Sequence, residues 1–277
     1  GPCRIDPFGE GPQKGVCGAD ADIIVARNLA RMIAAGASSH SDHGRDILEV
    51  FHHTARGETA AYQITDAEKL KRLAGEYGVK VDGRKTEEIA RDLAWEMMED
   101  YGMRRSSLTF VGRAPKARRE LWAKLGIMPR GIDRENVESL HRTHMGVDND
   151  YVNILLHSLR TSLSDGWGGS MVATELSDVL FGTPKPVRSR VNLGVLRADE
   201  VNIALHGHNP VLSDVMVRAA QDPGLLQLAR DKGARGINLV GLCCTGNELL
   251  MRRGIHMAGN HLMQELVIMT GALEMMI

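Results

Sequence analysis

Two short apolar segments, each followed at once by glycine and metal-binding side chains, most constrain how this chain can fold. Val201–Leu205 precedes His206-Gly-His208, and Ile237–Leu242 precedes Cys243-Cys244-Thr-Gly246. Both segments are short, rich in β-branched residues and bounded by Gly or Pro, which is typical of buried parallel strands. Ligands of open α/β sheets bind where the strands end. The sequence therefore predicts a parallel sheet with a metal site at the carboxyl ends of two strands.

Each of the two motifs also has an ordinary interpretation. A cysteine pair at a strand end is commonly buried and inert, and a histidine near a turn commonly serves only as a hydrogen-bonding residue. The occurrence of both motifs at equivalent strand ends favours a metal site to which His208 and Cys244 contribute. A dinucleotide site is disfavoured because the turn after Gly241 lacks the G-x-G-x-x-G pattern.

Two patterns of apolar residues divide the chain. From Asp20 to about Ser177 they recur near every 3.6 positions, and Gly36 is expected to end the first helix. After the turn residues Gly182-Thr-Pro-Lys-Pro186, strands and helices alternate. We expect a mixed α/β fold in which residues 1–184 form a mainly helical domain and residues 187–277 form the first part of a truncated, Rossmann-like parallel α/β domain. The predicted helices are 21–35, 41–56, 67–77, 86–101, 114–125, 134–143, 149–164, 212–221, 225–232 and two that start at 247 and 262; the predicted strands are 109–112, 193–196, 201–205 and 237–242.

Charge, hydropathy and cysteine usage narrow the class of protein. The sequence contains 34 Lys and Arg and 35 Asp and Glu, a net charge of -1. This near balance gives no reason to expect a nucleic-acid or anionic-membrane partner. The sequence contains no apolar run of about eighteen residues, the length that a membrane span needs. Four cysteines without a secretory signal fit a reducing, cytoplasmic compartment. Because the chain opens without Met and stops on an apolar run at 272–277 that reads as helical, we interpret it as a fragment.

Two further groups of residues are candidates for cluster binding and proton transfer. Cys3 and Cys17 flank a loop rich in Pro and Gly, and a metal or iron–sulfur cluster would hold that loop, although such a cluster needs four ligands. Either two more cysteines lie outside this chain or these are ordinary loop cysteines. His40 and His43 are three residues apart and are expected to share a helical face with Asp46 and Glu49. That row is a candidate proton path, and an ordinary polar helix face is the alternative.

Together these motifs resemble those of a known family, the catalytic subunits of the anaerobic nickel–iron carbon monoxide dehydrogenases, which belong to the superfamily of the hybrid-cluster proteins. The resemblance runs over the whole chain and covers a little under half of a family subunit. It lies in these segments: 1–5, 15–19, 26–40, 181–184, 192–196, 201–203, 206–210 and 241–248.

The resemblance implies roles for individual residues. Cys3 and Cys17 resemble the last two ligands of a [4Fe-4S] electron-transfer cluster whose first two cysteines would precede Gly1. His208 and Cys244 resemble the two protein ligands of the iron that stands apart in the nickel–iron–sulfur cluster. Cys243, beside Cys244, would then be a packed neighbouring thiol.

His40 is similar to the active-site histidine that hydrogen-bonds the nickel-bound ligand and helps to remove protons. His43 resembles the next member of a histidine relay. Asp46 and Glu49 stand where some members have further histidines, and whether they relay protons through water is left open.

The implied activity is oxidation of CO with water to CO2, two protons and two electrons, and the electrons would pass through [4Fe-4S] clusters to a ferredoxin. The full-length protein is expected to be a homodimer, either free-standing or within an acetyl-CoA synthase complex, and this fragment alone is expected to be inactive. Two alternatives stay open: a hydroxylamine-reducing hybrid-cluster protein, and a non-catalytic α/β module that binds a metal or nucleotide.

Overall fold

The computed structural model describes residues 4–102 and 106–277, and its contacts divide the chain into two compact units, Gly1–Leu176 and Ser177–Ile277. The division lies within a helix, Ser170–Phe181, several residues before the turn-rich segment where the sequence suggests a boundary. The end of this helix is held in the second unit by Arg252. Its guanidinium donates to the Asp178 carboxylate at 2.6 Å and to the Gly182 carbonyl at 2.9 Å.

The first unit is built from helices around a long central one. Helix α1 (Ala21–Ala55) packs against α3 (Thr86–Met98), α5 (Ile132–Arg142) and α6 (Tyr151–Ser164). Small side chains such as Ala26 and Ala30 let Ile154 of α6 approach α1 closely. A π-helical turn, Asp165–Gly169, connects α6 to α7, and a 3-10 helix covers Thr109–Arg113. The helices are α1 (Ala21–Ala55), α2 (Ala67–Glu76), α3 (Thr86–Met98), α4 (Lys116–Lys124), α5 (Ile132–Arg142), α6 (Tyr151–Ser164) and α7 (Ser170–Phe181).

Two predictions for this unit are wrong. Gly36 does not end the first helix: α1 is 35 residues long and runs through Gly36 to Ala55. Buried residues before and after the glycine, such as Ala34 and Ile47, outweigh the cost of about 1 kcal/mol for a helical glycine. Residues 109–112 are not a strand. The amide of Thr109 donates to the Asp100 carboxylate at 3.2 Å, so it is satisfied by a side chain and not by a neighbouring strand.

The second unit contains a parallel sheet with helices packed on it. Within residues 177–277, four strands lie in the order β3 (Met257–Gly259), β2 (Ile237–Leu242), β1 (Val201–Leu205) and β4 (Met275–Met276). Strand β1 pairs with β2 from Val201↔Ile237 to Leu205↔Gly241. This alternation of strands and helices confirms the mixed α/β fold. The strands are β1 (Val201–Leu205), β2 (Ile237–Leu242), β3 (Met257–Gly259) and β4 (Met275–Met276), and the helices are α8 (Pro210–Ala219), α9 (Pro223–Asp231), α10 (Cys243–Arg253) and α11 (Gln264–Met269).

Both faces of the sheet are covered, as expected for a parallel sheet with crossover helices. Ala204 and Val240 point to one face, where they pack with Val267 of α11. Ile203 and Leu205 point to the other, where they pack with Leu249 of α10. Side chains therefore alternate along β1 and β2, and each of these two strands contributes to a small core on either face of the sheet.

Two predictions for the second unit are wrong as well. Residues 193–196 form a 3-10 helix at Leu193–Val195, because the Asn192 side chain accepts from the Gly194 amide. The apolar run 272–277 forms strand β4 and not a helix. Its backbone pairs with β1 and the residue after it: Ile277 donates to Ala204 at 2.9 Å, and the His206 amide donates to Ile277 at 2.7 Å.

A buried asparagine, Asn202, connects the inner strands. Its amide oxygen accepts from Asn238 of β2 at 2.8 Å, and its amide nitrogen donates to the carbonyl of Ala272, just before β4, at 2.9 Å. Buried polar groups must be hydrogen-bonded to be tolerated, so this side chain is stable only where all three segments meet.

Candidate metal centre

The turn from β2 into α10 brings the cysteine pair to the end of the sheet. Gly241 and Gly246 nearly touch across this turn, and a Cβ added to Gly241 would lie only 2.6 Å from the Gly246 Cα. Between them, Cys243 has a φ of 57°, a left-handed conformation that costs a non-glycine residue roughly 1–3 kcal/mol. The sharp turn thus depends on two glycines and places a strained cysteine at the start of α10.

The histidine motif lies at the end of the adjacent strand, β1. Gly207 has a φ of 89°, which glycine adopts at little cost. Its carbonyl accepts a hydrogen bond from the Thr245 amide at 2.9 Å. Asn209 then caps α8 by accepting from the Val211 amide at 3.0 Å. The His206-Gly-His208 loop is therefore fixed to the first turn of α10, as the strand-end argument requires.

Three donor side chains converge at these strand ends: His206 after β1, Cys243 after β2 and His261 after β3. Their ligand atoms all lie within 4.8 Å of one another, and Cys243 Sγ shares a hydrogen bond of 3.3 Å with His261 Nδ1. The buried Nε2 of His206 finds no hydrogen-bond partner among residues 4–102 and 106–277. Imidazole and thiolate are ligands for transition metals, so these residues fit a metal centre.

Burial raises the pKa of the Cys243 thiol, and the neighbouring Cys244 raises it further. In the metal-free protein this thiol therefore keeps its proton near neutral pH. A metal ion binds the thiolate, so binding here would release that proton.

The residues predicted as iron ligands lie within two positions of two members of this group: His208 is two residues after His206, and Cys244 follows Cys243. His208 is partly buried in the loop after β1, and Cys244 is exposed in the first turn of α10. Sequence reasoning treated Cys243 only as a packed thiol and did not consider His261. His261 follows a third strand, β3, and so occupies an equivalent position to the other two donors. That strand has only three residues, too few to show a periodic pattern in the sequence.

His40 lies on α1 and is paired with an acid from the π-helical turn. Its Nδ1 lies 2.7 Å from Asp165 Oδ1, and Asp165 also accepts from the Ser170 hydroxyl at 3.2 Å. This hydrogen bond to Asp165 raises the pKa of His40. Nothing in the segment Asp165-Gly-Trp-Gly-Gly169 marks Asp165 as a partner in the sequence, since the contact depends on how α1 crosses the turn.

That crossing is possible because two glycines meet. A Cβ on Gly44 would lie 2.8 Å from the Gly169 carbonyl oxygen, and a Cβ on Gly169 would lie 2.8 Å from the Ser41 amide nitrogen. The close approach brings the π-helical turn against α1 beside His40.

The predicted row of titratable groups on α1 does not keep to one face. His43 is buried, whereas Asp46 and Glu49 are exposed. With 3.6 residues per turn, steps of three rotate backwards, so Glu49 lies about 180° around the helix from His40. The expectation of a shared face is therefore wrong for the two carboxylates.

Cys17 lies at the end of the amino-terminal loop, next to a buried arginine. Arg27 Nη1 lies 3.6 Å from Cys17 Sγ, and its Nη2 donates to the Asp148 carbonyl and the Asn149 side chain at 2.6 Å each. Asn149 in turn donates to the Cys17 carbonyl at 2.7 Å. The loop is thus attached to the body of its unit. Cys3, its predicted partner, lies outside the described residues.

Glu248, the last residue of the cysteine motif, has a structural partner. Burial raises the pKa of Glu248, and Arg252 opposes the shift through an ion pair of 2.5 Å. The same guanidinium binds Asp178, so Glu248 stabilises the arginine that connects α10 to α7.

No helix in the described part of the chain has the length and apolar character needed to cross a membrane.

The family model "Prismane/CO dehydrogenase family" matches residues 1–277.

Curated relatives are similar over the whole chain. The chain is 61% identical over 277 residues to carbon monoxide dehydrogenase 1 of Methanosarcina mazei, covering 100% of this chain and 44% of that protein. It is 40% identical over 279 residues to the carbon monoxide dehydrogenase/acetyl-CoA synthase subunit beta of Moorella thermoacetica, covering 100% and 41%. The chain therefore spans less than half the length of these relatives.

A solved structure agrees with the sequence matches. The as-isolated, nickel-free carbon monoxide dehydrogenase of Thermococcus sp. AM4 superposes with a TM-score of 0.91 at 56% identity, covering 100% of this chain and 44% of that one. These similarities give no support to the hydroxylamine-reducing or non-catalytic alternatives.

Proposed function

This chain belongs to the Prismane/CO dehydrogenase family, and from that premise we propose that it is part of an enzyme oxidising CO with water to CO2, two protons and two electrons. The observation that carries the proposal is the hydrogen bond between Gly207 and Thr245, which holds the histidine loop to the cysteine turn. It presents imidazole and thiol donors from two strands at one end of the sheet. The remaining ligands would come from a segment of the full-length protein that corresponds to the part of the relatives that this chain does not match.

Within the nickel–iron–sulfur cluster, His208 and Cys244 would hold the iron that stands apart. In support, His206 and Cys243 already converge with His261, while Cys244 is the exposed thiol of the pair. When bound, the cluster supplies Lewis acidity towards water and CO and takes up the electrons. The protein's part is to hold it rigidly at the strand ends.

His40 would accept the protons that CO oxidation releases. Its Nδ1 is engaged by Asp165, which fixes the orientation of the ring. The raised pKa of His40 makes its ring a better proton acceptor than an ordinary histidine. His43, buried three residues further along α1, would be the next carrier.

Cys17 and Cys3 would supply two of the four ligands of a [4Fe-4S] cluster that carries the electrons away. The Arg27 guanidinium beside Cys17 Sγ supports this role, because a neighbouring positive charge favours the thiolate that binds iron. A ferredoxin would accept the electrons in the cytoplasm. The full-length protein would be a homodimer, either free-standing or within an acetyl-CoA synthase complex.

The test uses the full-length protein with His208→Ala and, separately, Cys244→Ser. Each variant should keep the electron-transfer clusters, as seen by electron paramagnetic resonance, and lose CO-dependent reduction of ferredoxin. His256→Ala is the matched control, because His256 is an exposed histidine of the same unit whose Nδ1 lies 3.1 Å from the Ser189 hydroxyl. Full CO oxidation in either ligand variant would refute the assignment of that residue.

A further inference from the structure

We propose that a small pocket beside α6 binds an oxyacid monoanion that keeps one O–H group and has the size of hydrogencarbonate. The pocket has a volume of about 70 Å³ and is lined by the end of α5, by α6 and by the segment after α4. Its basic lining residues are Arg142, His157 and Arg160. The pocket lies in the first unit, and the proposal does not depend on the proposed CO oxidation.

His157 contributes an acceptor that lacks a donor. Its side chain is only 3% exposed, and its Nε2 lies 3.2 Å from the Glu135 carbonyl oxygen. Because a carbonyl oxygen only accepts, Nε2 carries the proton. Burial lowers the pKa of His157, so the ring is neutral near neutral pH and Nδ1 has a lone pair.

The surroundings of this lone pair offer it no proton. His157 Nδ1 is buried and has no hydrogen-bond partner among residues 4–102 and 106–277. Glu138 Oε1 lies 3.8 Å from it, but the pKa of Glu138 is lowered to about 2, so this carboxylate is ionised and also only accepts. Buried polar atoms are ordinarily satisfied, and an O–H group is the partner that Nδ1 requires.

Arg160 contributes a positive charge that lacks a counter-charge. Its guanidinium donates to the Gly126 carbonyl, but its buried Nε has no partner in the described part of the chain. Burial lowers the pKa of Arg160, because a desolvated cation is costly unless an anion pairs with it. The nearby acids are already paired with other arginines: Glu135, Glu138 and Asp148 bind Arg130, Arg134 and Arg142.

The positions of these two residues allow one small ion to reach both. His157 and Arg160 are three residues apart on α6, and such residues are neighbours on a helix, with about 5–6 Å between their Cβ atoms. Hydrogencarbonate would donate its O–H to His157 Nδ1 and accept from Arg160 Nε through a charged oxygen. Water lacks the charge, and chloride lacks the donor.

The size of the pocket limits the ligand further. One water takes up about 30 Å³ in the liquid, so a pocket of about 70 Å³ admits an ion such as hydrogencarbonate. A nucleotide or a peptide segment is too large for it.

The experiment compares hydrogencarbonate with nitrate, a planar monoanion of similar shape and the same charge that has no O–H group. Isothermal titration calorimetry of the full-length protein, without CO, at constant ionic strength and mildly alkaline pH, measures both affinities. Hydrogencarbonate should bind at least about tenfold more tightly than nitrate. Arg160→Gln should weaken binding of hydrogencarbonate at least about tenfold, and His157→Gln should reduce its affinity to that of nitrate.

Arg118→Gln is the matched control, because Arg118 is an exposed arginine of α4, and it should bind both anions as the unchanged protein does. Arg160 is partly exposed, so Arg160→Gln should leave the circular dichroism spectrum unchanged. If His157→Gln does not fold, the comparison of the two anions on the unchanged protein still tests the role of Nδ1.

Three results would overturn the proposal. They are undiminished binding of hydrogencarbonate to Arg160→Gln, equal affinity of the unchanged protein for nitrate and hydrogencarbonate, and no measurable binding of hydrogencarbonate, which would mean that the pocket holds only water. None of these results bears on CO oxidation, since the titration contains no CO.

Discussion

At the scale of single residues, Cys243 and His40 show how the backbone and a neighbour prepare a side chain for chemistry. Cys243 has a positive φ, a conformation that glycine adopts at lower energy. His40 is aligned by one carboxylate, Asp165, at 2.7 Å. In both cases the residue type alone tells little, and the local geometry decides what the side chain is able to do.

The first prediction concerns the His40–Asp165 pair. Asp165→Asn removes the hydrogen-bonded charge that raises the pKa of His40, so the pKa should fall. Histidine ring signals followed by NMR across the pH range measure it. The paired histidine contributes stability that is present below its ordinary pKa of 6.5 and is lost as pH rises through the higher, folded-state pKa.

Glu58→Gln is the matched control for that measurement, because Glu58 pairs with His53 near the end of the same helix. The pKa of His40 should not change in this variant. An unchanged pKa in Asp165→Asn would mean that the carboxylate does not govern His40.

At the scale of elements, α1 contains two glycines that differ in whether a side chain would fit. Gly36 is exposed with open space around its Cα, whereas Gly44 touches the π-helical turn at Gly169. One tolerates a side chain and the other excludes it. Sequence alone cannot separate them, since both appear as helix-breaking residues.

The second prediction uses this contrast. Gly44→Ala should lower the free energy of unfolding by about 1–3 kcal/mol, because the added methyl group would overlap the Gly169 carbonyl. Gly36→Ala should raise it by about 1 kcal/mol, the difference in helix propensity. Urea denaturation measures both. Equal effects of the same sign would contradict the close approach seen between α1 and the turn.

A network of ion pairs on α5 reaches the segment before α6. Glu138 accepts hydrogen bonds from Arg130 at 2.6 Å and from Arg142 at 2.8 Å, and Arg142 also binds Asp148. Burial alone would raise the pKa of Glu138, but the two arginines outweigh burial and lower it to about 2.

The third prediction follows from that lowered pKa. The unfolded chain binds a proton at Glu138 more readily than the folded protein does, so the free energy of unfolding should fall as pH falls from about 4.5 towards 2. Glu138→Gln should remove this part of the acid sensitivity and lower stability at neutral pH. Urea titrations at several pH values measure the slope. Glu68→Gln, at an exposed pair with Lys71, should keep the original slope, and an unaltered slope in Glu138→Gln would count against the network.

At the scale of the whole molecule, the chain is two units, each with its own core. Between α7 and the first 3-10 helix of the second unit, residues 182–190 have no regular structure and are mostly exposed. Segments of this kind are preferred sites of proteolysis.

The fourth prediction is that limited trypsin digestion cuts first, among the described residues, after Arg188 or Arg190. Lys185 precedes a proline and should resist cleavage. Mass spectrometry of the early fragments identifies the sites, and the double variant Arg188→Gln with Arg190→Gln should lose the early cut. First cleavage inside α1 or the sheet would contradict the exposure and irregular structure of residues 182–190.

The sequence predicted more of this fold than of the site. Long periodic helices such as α6 and the strands β1 and β2 were expected because their patterns are local. Gly36, residues 193–196 and the run 272–277 were misjudged because helix packing, a side-chain cap and pairing with β1 decide them. The strand-end argument predicted that the loops after β1 and β2 meet, and they do, but the convergence of His261 with Cys243 depends on a three-residue strand that no periodicity reveals.

The hydrogen bonds of Asn202 also bear on how the second unit is made. Its amide needs the carbonyl of Ala272, which follows it by 70 residues, so during synthesis the side chain leaves the ribosome long before its last partner. Until then the Asn202 amide bonds to the nearby Arg197 carbonyl at 2.8 Å but lacks its partner beside β4, and the inner position of β1 in the sheet is not yet favourable. We therefore expect the sheet to close only after the segment that carries Ala272 has been synthesised, with the two histidines of its first loop accessible to incoming metal until then.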